Sequence, residues 1–156
     1  MKIKDNPGVL VPPPMIYAAV FGLATFIQSK FPIKLAFLRS GQSHIFGWLL
    51  IVLTAGILLP SLWRFWNSKN TLITIKPATS LQTSGIYAFT RNPMYLGLMI
   101  LYIGLACFSG NCWTFLLIPL IFMIVQKYVI AREENYLERT FKDEYKNYKM
   151  RVRRWI

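Results

Sequence analysis

Residues 84–97 read Ser-Gly-Ile-Tyr-Ala-Phe-Thr-Arg-Asn-Pro-Met-Tyr-Leu-Gly, and they join a polar loop to a hydrophobic segment. Gly85 permits a backbone turn that a Cβ would resist. Pro93 has a fixed φ and no N–H, so it suits the first turn of a helix. The polar pair Arg91 and Asn92 stands directly before it, and the residues that follow are mostly apolar. The stretch predicts a loop that places polar side chains at the mouth of a membrane helix, where arginine and tyrosine also serve as interfacial anchors.

Composition narrows the class of protein. The chain of 156 residues has the length of one domain. Its hydrophobic content of 54% and mean hydropathy of +0.40, together with long apolar runs, indicate a membrane protein. The formal charge of +12 then favours an anionic membrane surface as partner, not nucleic acid. Cys107, Cys112 and His44 lack the spacing of metal ligands, so no metal site is predicted.

The apolar runs predict an all-α integral membrane protein that forms one domain over residues 1–156. About four transmembrane helices are expected, followed by a C-terminal amphipathic helix whose apolar residues recur at helical spacing. The predicted crossings are residues 12–29, 45–66, 93–109 and 112–130, the loop is 67–92, and the tail helix is 131–149. Gly110-Asn111 between the last two crossings predicts a tight hairpin.

Charge asymmetry predicts the orientation. With four crossings, the amino terminus, the connection over residues 64–91 and the tail from Lys127 onward share one side of the membrane. Of the 18 lysines and arginines, only Lys30, Lys34 and Arg39 fall on the other side, which leaves fifteen on the first. The positive-inside rule then places both termini in the cytoplasm, with the chain in the inner or plasma membrane. The basic residues 149–155 are expected to adhere to anionic lipid, with Trp155 as an interfacial anchor.

The order of motifs in the second half of the chain resembles the isoprenylcysteine carboxyl methyltransferase family, which is itself similar to the phospholipid methyltransferases. The resemblance covers roughly residues 71–156. It consists of Gly85-x-Tyr87, Arg91-Asn-Pro-x-Tyr95, an apolar hairpin, Glu133-Glu134, and a tail with Phe, Tyr and a basic-Trp segment. One departure is Asn92, which stands where the family usually has His. Asn92 can donate and accept hydrogen bonds as a neutral His does, but it cannot become cationic.

The resemblance implies an S-adenosylmethionine-dependent methyltransferase that acts on a membrane-embedded or lipidated small substrate, with carboxyl O-methylation of the isoprenylcysteine type. It also implies catalytic roles for Arg91 and Glu133. The residues implied to bind the cofactor are Thr79, Ser80, Leu81, Gln82, Tyr87, Asn92, Pro93, Met94, Tyr95 and Glu133. The substrate-binding Arg of some members falls on Val129 here, which leaves the nearby Arg132 as a weak candidate for that role.

Glu133 and Glu134 follow an apolar helix, where a carboxylate is costly unless it faces a partner or a cavity. Neighbouring residues on a helix point in different directions, so the two cannot do the same job. We expect Glu133 to face the bundle and Glu134 to bridge to a base at the surface. A salt bridge from Glu133 to Arg91 or Arg132 is the alternative.

Other functions remain open at this point. Phospholipid amine N-methylation is the alternative within the same class. A reductase that uses NADPH is a rival chemistry, and a small transporter or interaction protein is the non-enzymatic alternative. No Gly-x-Gly-x-x-Gly turn of the dinucleotide-binding type is present. No acidic residue lies in the middle of a predicted crossing, which disfavours a transporter.

Overall fold

The computed structural model describes residues 6–67 and 80–156, and within these ranges the chain is helical with no strand. The helices are α1 (Pro13–Lys30), α2 (Gly41–Asn67), α3 (Pro93–Ser109), α4 (Cys112–Leu116), α5 (Ile118–Ile124) and α6 (Ala131–Arg151). Short 3-10 turns cover Ala36–Arg39 and Gly85–Ala88, and a π-helical turn, Val125–Ile130, joins α5 to α6. The all-α class is confirmed. Thr79 and the rest of the predicted loop between residues 68 and 79 lie outside the described residues.

In the described part of the chain, two helical stretches are long and apolar enough to cross a membrane: Gly41–Arg64 and the run that begins at Cys112. α3 is apolar but shorter. The large side chains of α2 are mostly exposed, with Trp48 at 64% and Trp63 at 70% of their full accessible surface. A helix that is apolar all round and exposed differs from the buried core helix of a soluble protein, and it suits a lipid environment.

α2 packs against α3 along a seam of glycines. A Cβ on Gly47 would lie 2.9 Å from the Phe108 ring and 3.1 Å from the carbonyl oxygen of Gly104. A Cβ on Gly97 would lie 2.6 Å from the Leu58 side chain. Small residues allow helix backbones to approach closely where lipid provides no hydrophobic drive for association. The seam fixes α3, and therefore the polar loop that leads into it, against α2.

The chain turns sharply between α3 and α4, as the Gly110-Asn111 pair predicts. Gly110 ends α3 in the left-handed conformation, with φ of 61°. Asn111 caps α4 by accepting a hydrogen bond from the Trp113 backbone N–H. The predicted crossing 112–130 is divided by a break at Leu117, and Pro119 lies in the first turn of α5, where a missing N–H costs nothing.

The main core forms where α1, α3, α5 and the π-helical turn meet. Its fully buried members include Ile121, Val125, Val129 and Ile130, and Tyr17 of α1 packs among them. The Tyr17 hydroxyl donates to the backbone carbonyl of Tyr95, 3.1 Å away. This core therefore holds the start of α3 and the end of α5 at a fixed separation, directly beneath the polar residues that follow.

The tail helix is not the single straight element predicted from its spacing. α6 is broken at Lys142, whose φ of 44° and ψ of −117° are non-helical. Residues 143–151 fold back along residues 131–141. The contact between Lys149 Nζ and Glu138 Oε2, 3.3 Å apart, shows this. Eleven residues of straight helix would separate these positions by about 16 Å. The fold-back returns the end of the chain to the start of α6, so α6 does not lie extended on a membrane surface.

Candidate cofactor site

Three segments converge at one end of the bundle: the 3-10 turn Gly85–Ala88, the start of α3 and the start of α6. Gly85 opens the turn with φ of 65°, and a Cβ there would lie 2.5 Å from Arg64 Nε at the end of α2. A residue with a side chain would be strained in this conformation, and the Arg64 side chain would have to move to make room for it. Glycine thus lets the turn dock on α2 and directs Tyr87 inward, where it is buried.

Glu133 and Tyr95 meet at the centre of this convergence. The Tyr95 hydroxyl donates a hydrogen bond of 2.6 Å to Glu133 Oε1, joining α3 to α6. Burial raises the pKa of Glu133 to about 7; the bond from Tyr95 lowers it and the Glu134 charge raises it further. The prediction that Glu133 faces the bundle agrees with this contact. The alternative salt bridge from Glu133 is not formed by Arg91, which pairs with Glu134.

Tyr87 supplies a second buried phenol beside Glu133. Its backbone carbonyl accepts a 2.6 Å hydrogen bond from the Tyr148 hydroxyl, which ties the turn to the returning half of α6. Burial, followed by the nearby Tyr148 and Glu133, raises the pKa of Tyr87 well above its ordinary value. Within the described part of the chain, the Tyr87 hydroxyl has no hydrogen-bond partner. It is therefore a donor still available to a ligand.

Glu134 is not at the surface, contrary to the expectation from sequence. It is 7% exposed and lies between two arginines. Arg154 donates to both of its carboxylate oxygens, Nε to Oε1 at 3.0 Å and Nη2 to Oε2 at 2.5 Å. Arg91 Nη1 lies 3.2 Å from Glu134 Oε1 and also donates to the Tyr145 hydroxyl. Arg91 therefore belongs to a buried ion cluster, in which its Nε has no partner among the described residues.

Asn92 fastens the end of the chain to the start of α3. Its side-chain amide donates a hydrogen bond of 2.8 Å to the carbonyl of Arg154. The backbone N–H of Arg91 donates a hydrogen bond of 3.0 Å to the carbonyl of Arg153. Trp155 stacks on Phe122 at 5.3 Å between ring centroids and donates to Gln126. The side chains of Arg154 and Trp155 are therefore held by protein contacts, and adhesion of residues 149–155 to anionic lipid stays a prediction.

The other predicted residues have separate places. Gln82 donates to the Ser80 hydroxyl, Leu81 packs on the cluster of Tyr145, Tyr148 and Val152, and Pro93 and Met94 form the first turn of α3. Their described contacts do not join Ser80, Leu81 or Gln82 to Glu133. Arg132 donates to the Gly8 carbonyl and lies over the Tyr128 ring, so it holds the N-terminal segment. This placement disfavours Arg132 as a substrate-binding residue.

The donors and acceptors of the site fit the amino-acid end of S-adenosylmethionine. That end carries an ammonium and a carboxylate. The Glu133 carboxylate can pair with the ammonium. Two buried donors without a described partner, Tyr87 Oη and Arg91 Nε, can bind the carboxylate of the cofactor. Buried polar groups without partners are uncommon in folded proteins, because each costs free energy. Tyr87 Oη and Arg91 Nε are thus two donors that a ligand bound here would satisfy.

Comparison with known proteins places the chain in a family. The sequence model of the family described as phospholipid methyltransferase matches residues 42–144, about two thirds of the chain. The protein belongs to the phospholipid methyltransferase family. The match runs from the start of α2 to the fold-back of α6, so it includes Tyr87, Tyr95 and Glu133. It confirms the family to which the motif order points, and the family is one of methyltransferases.

Two curated proteins are similar to parts of the chain. An uncharacterised protein of Haemophilus influenzae is 40% identical over 63 residues, which is 40% of this chain and all of that protein. The protein-S-isoprenylcysteine O-methyltransferase of Schizosaccharomyces pombe is 38% identical over 72 residues, which is 46% of this chain and 30% of that enzyme. No solved structure matches the chain.

Proposed function

We propose that this protein is an S-adenosylmethionine-dependent methyltransferase that acts on a membrane-embedded or lipidated small substrate. The observation that carries the proposal is the Glu133–Tyr95 pair beside the unpartnered hydroxyl of Tyr87, at one end of a bundle with exposed apolar helices. Family membership supports the methyl-transfer chemistry. Glu133 binds the ammonium group of the cofactor, and Tyr87 with Arg91 Nε binds its carboxylate.

Methyl transfer does not require the protein to supply a nucleophile of its own. When bound, the cofactor would supply a methyl group on a sulfonium cation for transfer to the acceptor, with S-adenosylhomocysteine as the leaving group. Holding two reactants in this geometry is worth roughly 7–11 kcal/mol. The chain's own residues therefore bind, orient and exclude water. In this proposal Glu133 and Tyr95 fix one end of the cofactor, and the buried cluster of Glu134, Arg91 and Arg154 gives the site its rigid wall.

For the acceptor we favour the carboxylate of an isoprenylcysteine. The support is the similarity to the Schizosaccharomyces pombe enzyme, whose name states that activity, over less than half of this chain. A phospholipid amine is the second candidate, and the family description supports it. Both acceptors carry long apolar chains, and the exposed apolar surface of α2 suits either.

Ligand binding tests the proposed cofactor. The detergent-solubilised protein should bind S-adenosylhomocysteine in calorimetry and should gain thermal stability. At 100 times the dissociation constant, the ligand would add roughly 2.7 kcal/mol to the free energy of unfolding. NADPH is the comparison, because a membrane reductase would respond to it. Stabilisation by NADPH with no response to S-adenosylhomocysteine would replace the methyltransferase by a reductase.

We further propose four crossings with both termini in the cytoplasm, on the asymmetry of fifteen basic residues against three. In a background without native cysteines, Gly41→Cys should react with an impermeant thiol reagent on intact cells, and Asn147→Cys should not. Both positions are exposed, and a side chain on Gly41 meets no atom within 4 Å. Reaction at position 147 in intact cells would reverse the orientation.

A further inference from the structure

Arg154 stands 20 residues after the carboxylate that it binds, and it reaches that carboxylate only because α6 folds back at Lys142. Two hydrogen bonds to backbone carbonyls hold Arg154 in this position. The Arg154 carbonyl accepts from Asn92 Nδ2 at 2.8 Å, and the Arg153 carbonyl accepts from the N–H of Arg91 at 3.0 Å. The chain end is thus held on one side by the loop that leads into α3, and its guanidinium points into the protein toward Glu134.

The ion cluster links Arg154 to the turn that carries Tyr87. Both carboxylate oxygens of Glu134 accept hydrogen bonds from Arg154, and one of them also forms a salt bridge with Arg91. Arg91 lies four residues after Tyr87, and its side chain is 9% exposed. If Glu134 lost Arg154, it would retain Arg91 as its described cation. The fork-shaped pairing of a guanidinium with a carboxylate fixes both groups in orientation as well as in distance.

From these contacts we infer that Arg154 is a positioning residue of the cofactor site, acting through Glu134 and Arg91 on the turn that carries Tyr87. The inference rests on the proposed function, since it concerns the binding of the same cofactor. Arg154 touches neither Tyr95 nor Glu133 in the described contacts. Its effect on the cofactor is indirect, through the placement of Tyr87 and the charge balance around Glu133.

The effect of Arg154 on the charges around Glu133 distinguishes a positioning role from a purely structural one, in which Arg154 only holds residues 152–156 in place. The groups that act on Glu133 are Tyr95 from α3 and Glu134 from its own helix, and Glu133 in turn acts on Tyr87 of the turn. The Glu134 charge raises the pKa of Glu133, and the two arginines offset that charge. Without Arg154, Glu133 should keep its proton to higher pH. The pH midpoint of cofactor binding should then move upward, which loss of a fastening contact alone would not cause.

The test is the affinity of the purified full-length protein for S-adenosylhomocysteine between pH 6 and pH 8.5. Arg154→Gln should bind about five- to tenfold more weakly at pH 7, with a higher midpoint. Arg153→Gln is the matched control: its side chain is exposed, its carbonyl bond to Arg91 is kept, and its affinity and midpoint should equal those of the parent.

A third variant, Arg154→Lys, keeps the charge but loses the two-point geometry. Its affinity should lie between those of the parent and Arg154→Gln, with the parent midpoint, and it also serves if Arg154→Gln does not fold. Parent-like affinity and midpoint in Arg154→Gln would overturn the inference, as would equal losses in both glutamine variants. A parent protein that binds no S-adenosylhomocysteine at any pH would instead overturn the proposed function, and this inference with it.

Discussion

Glu133→Gln is expected to lower the affinity for S-adenosylhomocysteine by about 10- to 100-fold, because a charge-assisted bond to the ligand's ammonium contributes roughly 1.5–3 kcal/mol. The amide keeps the shape of the carboxylate, and its oxygen can still accept the hydrogen bond from the Tyr95 hydroxyl, which lies 2.6 Å from Oε1 in the parent protein. The fold should therefore be retained, which circular dichroism and thermal unfolding would check. Calorimetric titration measures the loss.

The same variant should remove a pH dependence. The pKa of Glu133 is raised to about 7, so the free protein loses the negative charge as pH falls through 7. Affinity in the parent should be constant above this value and should fall about tenfold from pH 8 to pH 6. Glu133→Gln carries no proton to gain and should bind equally at both. A parent whose affinity does not change with pH, or a variant that binds as tightly as the parent, would remove Glu133 from the site.

Glu134→Gln is expected to destabilise the protein by about 3 kcal/mol, because it leaves two arginines beside a neutral partner. Arg91 is almost fully enclosed, with 9% of its side chain exposed, whereas Arg154 is 35% exposed and keeps some hydration. The cost should therefore fall at the lower end of the range for broken buried ion pairs. The free energy of unfolding in detergent, from denaturant titration, measures it.

Glu138→Gln provides the matched control on the same helix. Glu138 pairs with Lys149 at 3.3 Å, but both side chains are about 40% exposed, at 38% and 43%. A surface pair of this kind contributes roughly 0–1 kcal/mol. Equal destabilisation by the two glutamine variants would mean that Glu134 is no better enclosed than Glu138, and the buried ion cluster would not exist as described.

The sequence predicts the helices and part of the site because these depend on local patterns. Pro93 marks the start of α3, and Gly110-Asn111 marks the turn into α4. Glu133 is expected to face inward because it follows the apolar run by one helical turn, and its contact with Tyr95 agrees with this. Periodicity and capping act within a few residues, so reading the chain in order captures them.

The position of Glu134 could not be predicted in the same way. The apolar residues of the tail recur at spacings of four, four and three, which is the pattern of a straight helix. The break falls at Lys142, which is neither glycine nor asparagine and carries no local turn signal. It is stabilised by contacts distant in sequence, chiefly Glu134 with Arg154 and Tyr148 with Tyr87. Tertiary contacts here override local propensity, and burial of Glu134 follows from them.

The separation in sequence of the site's contacts has a consequence for the order of folding. The α3–α4 turn joins neighbouring residues, whereas Tyr95 meets Glu133 across 38 residues and Asn92 meets Arg154 across 62. Contacts that close long loops form late, because the chain loses the entropy of those loops before it gains the contacts. The apolar helices can therefore insert and pair during synthesis, while the site is still open. On the proposed function, the cofactor site would then form only after residues 153 and 154 have returned to the start of α3.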